Sequence, residues 1–109
     1  MKPPFFRAVI AIGLALASVA AQAQGAAIFD NADHALGVRL MEEHRCAACH
    51  ARKAGGDGSA IYRPDERIRT AGALRGVVEQ CNTELGFGLF PEEVTAIAAV
   101  LNKRHYQFR

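Results

Sequence analysis

Cys46-Ala47-Ala48-Cys49-His50 sets two thiols three positions apart, with an imidazole directly behind the second. On one helical turn, thiols at that spacing reach the two vinyl groups of a single porphyrin and can form a thioether with each. The residue that follows then lies under the iron and supplies a nitrogen ligand. This spacing is the attachment signature of c-type haem (heme c). It predicts Cys46 and Cys49 as covalent anchors and His50 as the proximal iron ligand. Two other uses of the thiols fit poorly. A zinc site needs two more ligands at matching spacing, and the sequence has no second C-x-x-C and no H-x-x-x-H. A thioredoxin-like redox pair needs alternating strands and helices, and that pattern is missing.

The start of the chain says where such chemistry would take place. Met1–Arg7 carries Lys2 and Arg7 and no acid, Ala8–Ala21 is uninterrupted by charge, and Ala21-Gln22-Ala23 has the form of a cleavage site. Together these predict a cleavable signal peptide over residues 1–23, a mature domain over 24–109 and delivery to the periplasm. The rival is an uncleaved anchor, but the apolar run is about 14 residues long and a bilayer span needs roughly 20. No stable membrane insertion is therefore expected after cleavage. The chain has 13 Lys+Arg and 11 Asp+Glu, and the leader removes two basic residues, so the mature domain balances at 11 against 11. Such neutrality gives no support to nucleic-acid or anionic-membrane binding. A domain this small often needs a metal, a disulfide or a cofactor as a staple. Its three cysteines cannot all pair with one another.

The elements that must position the motif read as helices. From about Asn31 to Arg45, Leu36, Leu40 and His44 recur at helical spacing, with Asn31 or Asp33 as the cap. Gly37 inside this segment is either a point of close backbone approach or a neutral surface glycine. Ala54–Ser59 reads as a flexible turn, and Asp65-Glu66 as the opening of a short one. Thr70 caps a helix over about Ala71–Glu84, with Leu74, Val77, Val78, Cys81 and Leu85 on one apolar stripe and Gly86 as its stop. Pro91, Glu92 and Glu93 open the last helix, whose buried face is predicted to include Phe90, Val94, Ile97, Leu101 and Phe108. The mature chain is thus expected to be all-α, with three to four helices.

With these residues in view, the chain resembles the class I c-type cytochromes. Gly37, Leu40 and Met41 running into Cys46 look like that family's N-terminal helix, and Phe90–Phe108 looks like its C-terminal partner. The resemblance implies a small cytochrome c-like fold, its helices wrapped around one covalently attached haem. The N- and C-terminal helices would cross at the haem edge, with Gly37 at the contact. This chain departs from the family in lacking a methionine after Met41, which sits too close to Cys46 to reach the far side of the iron and is expected in the core. Candidates for the sixth ligand are Cys81, Asn82 and His105, or none. The Cys81-Asn82 pair is similar, in reversed order, to an asparagine beside a cysteine in some gas-binding members. Cys81 has a simpler use as a small buried hydrophobe. His34 and His44 read as solvent-facing or packing residues. Tyr62, Arg63 and Arg67 are candidate partners for the haem propionates, or a solvated loop.

The function these readings favour is a monomeric one-electron carrier that meets redox partner proteins through an exposed haem edge. No nucleophile, acid–base pair or phosphate loop suggests an enzyme. Two alternatives stand beside it: a haem protein that binds a small ligand at an open or weakly held sixth site, and a haem subunit of a larger oxidoreductase.

Overall fold

A computed structural model describes residues 25–109; the expected signal peptide at 1–23 lies outside them. Among the described residues the chain is all-helical, with no strand. The four α-helices are α1 (His34–Glu43), α2 (Cys46–Ala54), α3 (Ala71–Leu85) and α4 (Pro91–Leu101). Single 3₁₀ turns lie at Ala26–Phe29 and Ser59–Ile61, and a wider π turn at Asn102–Tyr106 follows α4. No helix among the described residues is long and apolar enough to cross a membrane.

Side-chain caps account for most of the boundaries. Asp33 accepts the Leu36 N–H at 2.9 Å to open α1, and Thr70 accepts the Ala73 N–H at 3.0 Å to open α3. At α4 the Glu93 carboxylate accepts the Phe90 N–H at 2.9 Å, beside a proline in the first helical position. α3 ends on Gly86 at φ 65°, where Gly86 N–H reaches the Thr83 carbonyl and Phe87 N–H reaches the Asn82 carbonyl. That pair of bonds is a Schellman stop, and it needs the left-handed residue a glycine supplies most cheaply.

α4 is the centre of the molecule. Val94 and every residue from Ala96 to Leu101 are buried. α1 packs along it, and the contact explains Gly37. A Cβ at that position would lie 2.7 Å from both the Ala96 carbonyl carbon and Val100 Cγ2. The backbones therefore meet at a distance that only glycine against a small residue permits. Arg75 ties α3 to the first turn of α4, donating to Thr95 Oγ1 at 2.8 Å and to the Pro91 carbonyl at 3.1 Å. Phe29, Leu40, Ile68, Leu74, Ile97 and Tyr106 complete one continuous core.

Three local expectations are corrected. The segment expected to run unbroken into the cysteines stops at Glu43, and Arg45 takes a left-handed conformation (φ 51°, ψ 44°) before α2 starts in a new direction. Phe90 is 65% exposed instead of buried. It is the residue before the first helical position, so the helical period that buries Val94 and Ile97 does not extend to it. Leu85, expected on the buried stripe of α3, is 53% exposed because it lies on the last turn, at the rim of the cavity described next.

Candidate functional site

Cys46, Cys49 and His50 all line one cavity of about 310 Å³. Cys46 opens α2, and the two thiols and the imidazole share its first turns. The opposite wall comes from α3, through Leu74, Val77, Val78 and Cys81. Ile97 and Leu101 of α4 form the floor, with Met41 and His44 from the end of α1. The lining surface is mainly apolar, with Lys53, Asp65 and Arg67 among its polar side chains, a make-up common in ligand pockets. The apolar stripe of α3 read from the sequence therefore faces this space as much as the protein core, which is why Val77 and Val78 are only half-buried.

Burial governs the electrostatics of the site. It pushes the Cys46 thiol above its ordinary value, with a further rise from Cys81 and Cys49 nearby. It raises Cys81 as well, where Glu84 adds to the effect. All three cysteines are free and half-buried, and none is spent on a disulfide. His50 is shifted the other way, because burial and the Lys53 ammonium both disfavour a second proton on its ring. A neutral imidazole is the form that binds a metal.

The ring nitrogens of His50 are differentiated. Nδ1 is hydrogen-bonded to the Tyr62 hydroxyl. Nε2 has no protein partner among the described residues. Tyr62 is itself held on its other face by His105, stacked at 4.7 Å between ring centroids and 27° between planes. Sequence reading associated Tyr62 with haem propionates, so its place at His50 was missed. No periodic signal marks it, because it follows a glycine-rich loop twelve positions after the histidine. Of its two companions, Arg67 lines the cavity and Arg63 does not.

The candidate sixth ligands separate clearly. Cys81 lies on the cavity wall provided by α3. Asn82 borders the same space, but its side chain is committed: Oδ1 accepts the Leu89 N–H at 2.9 Å and Nδ2 donates to the Leu89 carbonyl at 3.2 Å. His105 packs against Tyr62, on the side of the site where His50 is anchored. His44 packs against Phe87 with ring centroids 4.4 Å apart and planes tilted at 39°, as a packing histidine would, and His34 is exposed. Met41 is half-buried, packs against the core and reaches the cavity. No group of three or more His, Cys, Asp or Glu side chains among the described residues converges on a common metal-ion position.

The donor set fits a covalently held haem. Two free thiols at C-x-x-C spacing and a neutral imidazole with one unclaimed nitrogen open onto the same apolar cavity. A porphyrin needs one protein nitrogen for its iron and apolar walls for its faces, and no converging cage. No protein-family model, curated protein or solved structure matches the chain.

Proposed function

We propose that the protein is a monohaem c-type cytochrome with a cytochrome c-like fold, acting as an exported one-electron carrier between redox partner proteins. One observation carries this reading: Cys46, Cys49 and His50 line the same apolar cavity as side chains from α1, α3 and α4. Cys46 and Cys49 would hold the haem as thioethers, each S–H adding across a vinyl double bond with its proton passing to the neighbouring carbon and no net oxidation. His50 would offer Nε2 to the iron, with Nδ1 kept on Tyr62. A bound haem supplies a ferric/ferrous couple. The apolar residues of α3 and α4 exclude water from it, and the open rim at Ile61 and Leu85 leaves an edge accessible to a partner.

Covalent attachment is tested on a denaturing gel stained for haem peroxidase activity. A stained band at the mature mass is expected. Complete extraction of the pigment into acid acetone would refute attachment. Because methionine ligation raises the potential and no methionine follows Met41, the midpoint potential is expected below that of His/Met cytochromes. A redox titration checks this, and a high potential together with the weak sulfur-to-iron band in the red would contradict it.

A second reading, small-ligand binding at the sixth position, is favoured by the fate of the candidate ligands. Asn82 is taken up by Leu89 and His105 does not line the cavity, which among these candidates favours Cys81 or an open site. Thiolate ligation shifts the Soret band and the potential in Cys81→Ala. An open site gives a high-spin iron that binds carbon monoxide.

A further inference from the structure

We propose that Tyr62 is the positioning residue for His50: its hydroxyl oxygen accepts the Nδ1 proton, which fixes the ring tautomer and orientation and holds the potential of the site down. The inference rests on the reading of His50 as iron ligand, and it adds a residue that the haem-attachment signature does not contain.

Three observations locate Tyr62 independently of any bound group. The first is the hydrogen bond between its hydroxyl and His50 Nδ1, with the two rings edge-on at 78° and 5.0 Å between centroids. The second is the loop that delivers it. Gly58 is buried at φ 83°, and a Cβ there would lie 2.7 Å from Ala51 N, 2.9 Å from the Ala47 carbonyl oxygen and 2.9 Å from His50 Cβ. The loop therefore touches the backbone of α2 at the attachment turn itself, and only glycine admits both that contact and that dihedral. Asp57 fixes the next step, accepting from the Ser59 N–H at 2.9 Å and its hydroxyl at 2.6 Å. The 3₁₀ turn Ser59–Ile61 then carries the chain to Tyr62. The third is His105, which stacks on the far face of the Tyr62 ring from the π turn after α4. Tyr62 is thus gripped by a loop registered on α2 and by the end of α4.

Such a contact has a chemical consequence. With Nε2 on the iron, Nδ1 must carry the proton, and an oxygen that accepts it polarises the N–H bond and makes Nε2 a stronger donor. A stronger donor favours the ferric state. A phenol, with an ordinary pKa of about 10, is protonated at neutral pH. The hydroxyl therefore acts as a neutral acceptor of fixed position.

The test uses the haem-loaded protein and Tyr62→Phe, which keeps the ring and its stacking on His105 and removes only the oxygen. Both proteins are expected to stain for covalent haem. At a fixed solution potential the variant is expected to hold about tenfold more ferrous relative to ferric protein, a rise of about 59 mV for a one-electron couple. In reduced protein labelled with ¹⁵N-histidine, the His50 Nδ1–H proton is expected to exchange slowly with water in the wild type and rapidly in the variant. An unchanged potential and unchanged exchange in a stained variant overturn the role of Tyr62 while leaving haem attachment intact. Should the variant fail to mature, rapid exchange of this proton in the wild-type protein overturns the proposal by itself, and slow exchange upholds it. A wild-type protein without haem stain overturns both readings.

Discussion

At Asn82, and again at Asn102, one carboxamide both accepts from and donates to the backbone of a single residue further along the chain. For Asn82 the partner is Leu89, at 2.9 and 3.2 Å; for Asn102 it is Phe108, at 2.8 and 3.2 Å. Each arrangement imitates one rung of a β-ladder with a side chain in place of a strand. It satisfies backbone groups just beyond a helix, where no helical partner remains. Asn82 is buried at 8% exposure, so truncation strands both Leu89 groups. Asn82→Ala is expected to lower the unfolding free energy by about 1–3 kcal/mol, measured by urea titration followed by circular dichroism. Its Soret band is expected to match that of the wild type, because the side chain faces Leu89 and not an iron. The signal for this role was present in the sequence as a polar residue in the last turns of a helix stopped by Gly86. Reading Asn82 beside Cys81 as a ligand pair obscured it.

Among the elements, the helices announced by a cap were legible. Asp33, Thr70, Gly86 and Pro91 mark their boundaries in the folded chain as their residue types predict. What stayed hidden depends on tertiary contact. Arg45 has nothing in its side chain to request a left-handed backbone, yet it turns α2 away from α1, so that Cys46, Cys49 and His50 line the cavity. A left-handed residue other than glycine costs about 1–2 kcal/mol. Arg45→Gly is expected to be tolerated without loss of haem, whereas Arg45→Val should lose at least about 1 kcal/mol more, since a β-branched residue is a poor occupant of that region. Thermal unfolding of the two variants gives the comparison. Gly58 was read only as part of a flexible turn, because a close approach to Ala47 and His50 leaves no trace in local sequence. Gly37 is the intermediate case: its position suggested close approach or a bland surface, and Ala96 decides for the former. Gly37→Ala drives a methyl group into the backbone of α4. It is expected to destabilise by about 1–3 kcal/mol or more, read as a lower urea midpoint with unchanged helical content below the transition.

For the molecule as a whole, the cavity sets the terms of stability. Its rim is open at Ile61 and Leu85, so without an occupant about 310 Å³ of mainly apolar-lined space is left to water. An ordinary domain is held folded by only about 5–15 kcal/mol, so apolar surface left wet on this scale weakens it. The haem-free double variant Cys46→Ala/Cys49→Ala is therefore expected to unfold at a lower temperature than the haem-loaded protein while keeping much of its helical circular dichroism. The pH response of that variant follows from His50, whose folded pKa lies below its unfolded one. The unfolded chain then binds the extra proton more readily, so stability is present above the unfolded value of about 6.5 and falls as the pH drops below it. Adding His50→Gln is expected to flatten that slope. The pairing of α1 with α4 has a consequence in time as well as in space. A chain made from its first residue onward presents α1 and the Cys46–His50 turn before Ile97 and Leu101, which floor the same cavity, exist. At synthesis rates of about 5–20 residues per second, the 51 residues from Ala51 to Leu101 take about 3–10 s to appear. For that interval Gly37 has no surface to press against, and the two thiols stand open on a nascent chain. Long-range closure by α4 comes last, so Cys46 and Cys49 gain their cavity only when the C-terminal residues have joined the fold.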